Sequence, residues 1–221
     1  MSEQSAQLED DLFAQRWRVR WHDYLPAAGL VTVMTIAWLT HLPAGMASWG
    51  VSASALANGR YDTIFLHMFA HGGFFHLGMN ALALLEIGGL VTARLGSLGM
   101  GWARAMLAYG LAGLSSMVFY LSFHPQSNVP MIGASGAIYG LVGLLLGMRL
   151  IEELELVQFS KLPAALAEFV KNNLLFLMLL LIGGALAGIG GQVAWEAHLG
   201  GFLFGLCVGP WLLPSLRTER G

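Results

Sequence analysis

Residues 133–147 read GASGAIYGLVGLLLG. Glycines stand at 133, 136, 140, 143 and 147, at spacings of 3, 4, 3 and 4. At about 100° per residue, those from Gly136 to Gly147 form one narrow stripe on a helix. Such a stripe lets a second backbone come close within lipid. A lone hydroxyl, Ser135, sits at the head of the stripe. Taken by itself, the stretch is compatible with helix packing and with a nucleophile.

The rest of the chain sets the medium. It has 221 residues, 56% of them hydrophobic and only 11% charged, with a mean hydropathy of +0.65. Soluble domains carry about 25% charged residues. The composition is that of an integral membrane protein, and the length allows one domain. The net charge of −2 and the lack of a basic block give no purchase for nucleic acid. Cys207 is the only cysteine, so no disulfide forms within one chain. Its expected role is that of a small buried hydrophobe. Residues 1–15 are polar and acidic, which is not the pattern of a cleavable signal peptide.

A bilayer needs about 20 mostly apolar residues per helix. Six candidate spans fit: 26–47, 75–93, 103–122, 135–147, 174–189 and 195–213. The fourth is short for a full crossing, which predicts a helix that starts inside the membrane. With the N-terminus inside, ten of the eleven Lys and Arg residues fall on inner segments and only Arg60 falls outside. This asymmetry places both termini in the cytoplasm. Residues 1–24 then form a cytoplasmic N-terminal segment, 25–213 the helical domain and 214–221 a cytoplasmic tail. The stretch RWRVRWHDY, 16–24, reads as an inner-interface anchor. Residues 151–171 read as an amphipathic cytoplasmic link.

Polar side chains at membrane depth are costly and point to function. On this topology the candidates are Ser135 and Tyr139 on the fourth span, His198 on the sixth, and His76 and Asn80 on the second. Each same-span pair is spaced i, i+4 and shares a helix face. His198 heads a second glycine stripe, Gly201, Gly205 and Gly209. If the two stripes pack together, Ser135 and His198 come within hydrogen-bond reach. A serine hydroxyl becomes a useful nucleophile when a base takes its proton, and histidine suits that task near neutral pH. The free N–H groups at a helix start favour a developing oxyanion. His76 and Asn80 could add donors, and Gly133 would allow close approach.

Blander readings apply elsewhere. Ser115 and Ser116 are expected to bond to their own helix. His22, His41 and His124 read as structural hydrogen-bonders. His67, His71 and His76 are spaced 4 and 5. With no acidic or thiol ligand beside them, no metal and no other cofactor is expected. Glu196 reads as a solvated residue at the outer helix end, on a different face from His198.

At these residues the chain resembles the rhomboid family of intramembrane serine proteases. The serine motif Gly-x-Ser-Gly stands as GASG, 133–136, followed by Tyr139. The histidine motif stands as AHLGGFLFG, 197–205, and the second-span motif as HGGFFHLGMN, 71–80, with a further matching histidine at His67. The resemblance covers about residues 61–209. It implies an all-α, six-transmembrane-helix bundle whose short fourth helix starts inside the membrane. It also implies a Ser–His dyad without an acid. Ser135 would be the nucleophile and His198 the base and acid. His76 and Asn80 would support the oxyanion, Tyr139 would pack under His198, and His71 would tie the outer loop to the site. The implied substrates are single-span membrane proteins in the lipid bilayer, cut near the outer face. The implied location is a bacterial inner membrane. A catalytically silent helix-binding relative and a small transporter are the alternatives. Two motifs depart from the family. TARLG, 92–96, has Thr92 where many members have glutamate, and GRYDTIFLH, 59–67, lacks the usual Trp-Arg.

Overall fold

A computed structural model describes residues 18–42, 44–96, 98–155 and 194–212. Five long helices dominate these residues: α1 (Leu25–His41), α2 (Phe74–Arg94), α3 (Met100–Phe123), α4 (Ser135–Glu155) and α5 (Trp195–Leu212). No strand occurs among the described residues. The one extended pairing is an antiparallel bridge between Val51 and Met131. The expected fifth span, 174–189, lies outside the described residues. So do most of the N-terminal segment and the C-terminal tail.

Among the described residues, three helical stretches, Trp21–His41, Phe74–Arg94 and Met100–Phe123, are long and apolar enough to cross a bilayer. The first helix ends earlier than the sequence suggests, at His41 rather than near residue 47. Pro43 has no N–H to continue the ladder. Gly45 instead closes the end, at φ +69°, its N–H donating to the His41 carbonyl at 2.8 Å, a left-handed helix stop.

The fourth helix runs eight residues beyond the expected end at Gly147, to Glu155. Its apolar part is Ser135–Arg149. At ~1.5 Å per residue that part is roughly 22 Å long, shorter than the ~30 Å hydrocarbon core. The extension, MRLIEELE, is rich in strong helix formers. A reading based on hydropathy stops where the apolar residues stop, whereas the backbone ladder does not.

The α4 helix is the centre of the fold. Ala137, Ile138, Leu141, Val142, Leu144 and Met148 on it are all buried, so it is apolar around its whole circumference, as a helix enclosed by others must be. The two glycine stripes meet here. A Cβ on Gly201 would overlap the Gly136 carbonyl oxygen, one on Gly205 the Gly140 carbonyl, and one on Gly143 the Phe202 carbonyl. The α4 and α5 backbones are therefore in direct contact along the stripes. The α3 helix closes the other side: a Cβ on Gly136 would overlap Ser116 Oγ, and one on Gly140 would overlap Ala112. Ser115 does not bond to its own helix as expected; its Oγ donates to the Gly200 carbonyl of α5 at 3.0 Å. With α5 this close, a carbonyl of a neighbouring helix is within reach.

Cys207 also departs from expectation, being exposed rather than buried. A sulfhydryl on a membrane helix is at home facing lipid, so its apolar character does not require burial in protein.

The segment between α1 and α2 is folded. It carries short helices at Ala53–Ala57 and Thr63–Leu66, the first capped by Ser52 Oγ accepting the Ala55 N–H at 3.0 Å. Arg60 binds the Asp62 carboxylate through two nitrogens at 2.9 and 2.8 Å, and its Nη2 also donates to the Ser48 carbonyl at 3.0 Å. These hydrogen bonds hold the Asp62 carboxyl below its ordinary pKa. The loop thus has its own arginine anchor, at a position different from the family's Trp-Arg. Thr92, at the other departure, donates to the Gly88 carbonyl of its own helix at 2.8 Å.

Candidate active site

The site is assembled by one turn of backbone and two helix starts. Gly133 holds φ +118°, a region that L-residues other than glycine avoid. A Cβ there would lie 2.7 Å from His76 Nε2. Its N–H donates to the His67 carbonyl at 2.9 Å. Two residues later Ser135 opens α4. Its hydroxyl meets His198 Nε2 at 2.8 Å, from the first turn of α5. The two side chains are 63 residues apart in sequence, and the meeting of the glycine stripes brings them together.

The Tyr139 ring lies one turn along α4 and stacks on the His198 ring, with centroids 4.4 Å apart and planes 13° apart. The imidazole is held between a hydroxyl at its Nε2 edge and an aromatic face. For Ser135 Oγ–H to donate to Nε2, the neutral ring must carry its proton on Nδ1. That is the state in which histidine can accept the serine proton.

His76 lies in the first turn of α2. Its Nδ1 accepts the Gly72 N–H at 3.3 Å. A backbone N–H only donates, so the neutral ring carries its proton on Nε2, the atom next to Gly133. A donor thus points toward the mouth where Ser135 begins. Asn80 is buried one turn below, and its Nδ2 donates to the His76 carbonyl at 2.8 Å. Among the described contacts Asn80 reaches the site through His76, with its amide committed partly to its own helix. His71 packs edge-on against His76, with ring centroids 5.0 Å apart, and its Nδ1 donates to the Phe69 carbonyl at 3.2 Å. Its backbone N–H points at the Met46 sulfur. The site residues proposed from sequence therefore gather in one place, with Ser135, His198 and Tyr139 in direct contact.

His67 and His71 lie outside the spanning helices and are both 1% exposed. Burial pushes His67 down to about 4, and burial together with the nearby His76 pushes His71 down to about 3. Both rings are neutral in the folded protein at pH 7. In the unfolded chain they take up protons near their ordinary value of 6.5. The unfolded state thus binds more protons, and stability is lost as pH falls from 6.5 through about 4. The unfolding temperature in detergent should drop over that window, and His67→Gln should flatten the drop. An unchanged pH slope in that variant would show that His67 is not buried neutral.

Glu196 is a correction. It is not solvated but 7% exposed, and its Oε1 lies 3.1 Å from His124 Nε2. Nor does it complete a triad, since its carboxylate meets His124 and not His198. The signal was available in the sequence, since a carboxylate in an apolar helix demands a partner, but the partner is 72 residues away. Ser116, pressed against Gly136, was likewise not legible as a site wall.

The family model for the Rhomboid domain matches residues 58–215, well over half of the chain. The chain belongs to the rhomboid family, and it is an integral membrane protein. It is 30% identical to RHOMBOID-like protein 5 of Arabidopsis thaliana over 154 residues, which is 70% of this chain and 44% of that protein. It is 35% identical over 97 residues to Rhomboid protease GluP of Bacillus subtilis, covering 44% of this chain and 18% of that one. Putative rhomboid protease YdcA of Bacillus subtilis is 27% identical over 165 residues, 75% of this chain and 71% of its own length. The chain spans less than half the length of the first two.

Proposed function

We propose that this protein is an intramembrane serine endopeptidase that cuts single-span membrane proteins near the outer face of a bacterial inner membrane. The observation that carries the reading is the 2.8 Å Ser135–His198 hydrogen bond with Tyr139 stacked on the imidazole. Relatives named as proteases support it.

Ser135 Oγ attacks the scissile carbonyl carbon as its proton passes to His198 Nε2. The oxyanion receives hydrogen bonds from the Ser135 N–H at the helix start and from His76 Nε2–H, with Asn80 in support. When the intermediate collapses, His198 returns the proton to the leaving amine. A water then repeats the sequence on the acyl-enzyme and frees Ser135. No cofactor is needed.

The six-helix bundle, the cytoplasmic termini and a fourth helix starting within the membrane belong to the same proposal. They are supported by the charge asymmetry and by the short apolar part of α4. Substrate helices with weak helix formers suit this enzyme, because an intact helix hides its peptide bonds.

The test is co-reconstitution of the purified protein in liposomes with a single-span protein carrying Gly and Pro near its outer end. Cleavage by wild type that is absent with Ser135→Ala is the expected result. A substrate bound but never cut would favour the silent relative. Solute flux without cleavage would favour the transporter.

A further inference from the structure

We propose that Glu196 and His124 form a positioning pair that clamps the outer end of α5 and thereby keeps His198 in register with Ser135. The inference rests on the serine–histidine reading above and adds residues that reading does not use.

Glu196 is the second residue of α5 and His124 is the residue that closes α3. A carboxylate at a helix start lies where the helix dipole favours negative charge, and the His124 ring at the end of α3 faces it. Their contact, 3.1 Å, is largely shielded on the Glu196 side, whose side chain is 9% exposed. Breaking such a contact leaves a buried carboxylate without its partner.

The pair also joins the two elements whose meeting makes the dyad. The Tyr120 ring packs on His124 with centroids 4.7 Å apart, and its hydroxyl donates to the Val129 carbonyl at 2.9 Å. The Ser127 N–H donates to the His124 carbonyl at 3.2 Å. Val129 and Ser127 belong to the loop that leads to Gly133 and Ser135. Beside the pair, Phe123 meets Trp195 edge-on at 5.7 Å. The outer end of α3 thus grips the serine loop on one side and the first turn of α5 on the other.

Glu196 and His198 are two residues apart, about 200° around the helix. The carboxylate therefore acts on the imidazole through the placement of α5, not by touching it. In a dyad with no third acid, the position of the base depends on the Tyr139 stack and on where its helix starts. The clamp fixes the second of these.

The experiment measures the rate at which a fluorophosphonate labels Ser135 in the purified full-length protein in detergent, together with kcat and KM for a cleaved substrate. Glu196→Ala and His124→Ala should each slow labelling by about tenfold to a hundredfold, the cost of a misplacement near 1 Å. The loss should fall on kcat and leave KM unchanged. The double variant should be no slower than the slower single one, because both changes break one contact. Glu196→Gln, whose amide oxygen still accepts from His124, should recover most of the rate. If Glu196→Ala does not fold, Glu196→Asp takes its place. It keeps the charge and withdraws it by one methylene, so slowed labelling supports the clamp and a wild-type rate overturns it. Alanine variants that label at the wild-type rate, or a glutamine variant as slow as alanine, would also overturn it. A wild type that takes no label at all would instead remove the dyad reading on which the clamp depends.

Discussion

Ser135→Ala protein is expected to take no fluorophosphonate label, and His198→Ala protein to label about 10²–10⁴-fold more slowly than wild type, the usual share of a general base. The two losses differ in kind. The phosphonyl group is carried on Oγ, so without Ser135 there is no atom at the site to bear the adduct, and intact mass stays at that of the free protein. Without His198 the oxygen remains but loses the group that takes its proton across a 2.8 Å contact. The helix start and His76 remain to stabilise negative charge, which leaves a small residual rate. The measurement is the time course of the mass shift in detergent, with folding of each variant followed by circular dichroism. A folded Ser135→Ala protein that still gained the adduct would locate the reactive serine elsewhere. A folded His198→Ala protein that labelled at the wild-type rate would show that the imidazole is not the base.

The meeting of Ser135 and His198 could be anticipated because periodicity carries the information in this chain. The i, i+4 placement of Ser135 and Tyr139, and the run from His198 through Gly201, Gly205 and Gly209, mark two helix faces with polar heads. In lipid, small residues on one face leave close approach to another backbone as the main outlet. Features that depend on which neighbour covers a face were not legible in this way. Glu196 and Cys207 illustrate it from opposite sides. The charged residue is buried because the end of α3 supplies His124, and the apolar one is exposed because lipid is an adequate solvent for it. Hydropathy ranks residues by their cost in water, and within a membrane that ranking no longer predicts inside and outside. Helix ends were misread for a related reason. The change from apolar to polar composition at Arg149 marks where lipid would stop, whereas the hydrogen-bond ladder continues to Glu155. At the C-terminal end of α1 the helix stops at the left-handed Gly45 turn, whose N–H closes on the His41 carbonyl, within a stretch that is otherwise apolar. The tautomer of His76 was beyond sequence reading altogether, since it depends on the Gly72 N–H that reaches its Nδ1.

If contact between the stripes places the dyad, a change two turns away from any reacting atom should disable it. Gly205→Val is the sharpest such change. A Cβ at this position would overlap the Gly140 carbonyl oxygen and lie 2.7 Å from the Leu144 N. Both are backbone atoms of the central helix, so no rotamer change relieves the overlap, and α5 must move away from α4. Overpacking of this kind costs about 1–3 kcal/mol and sometimes more, with a corresponding fall in unfolding temperature. The functional loss should be greater than the stability loss. The Ser135–His198 contact spans the same interface, and a shift of about 1 Å there costs about a hundredfold in rate. Gly205→Val protein is therefore expected to keep its helical circular dichroism while fluorophosphonate labelling of its intact Ser135 falls by at least that factor. Gly110→Ala is the control, since a Cβ there meets nothing within 4 Å, and it should label as wild type does. A folded Gly205→Val protein that labels at the wild-type rate would show that α5 can withdraw from the stripe without carrying His198 with it. In that case the Tyr139 stack alone, and not the approach of the two backbones, would hold the base on the serine.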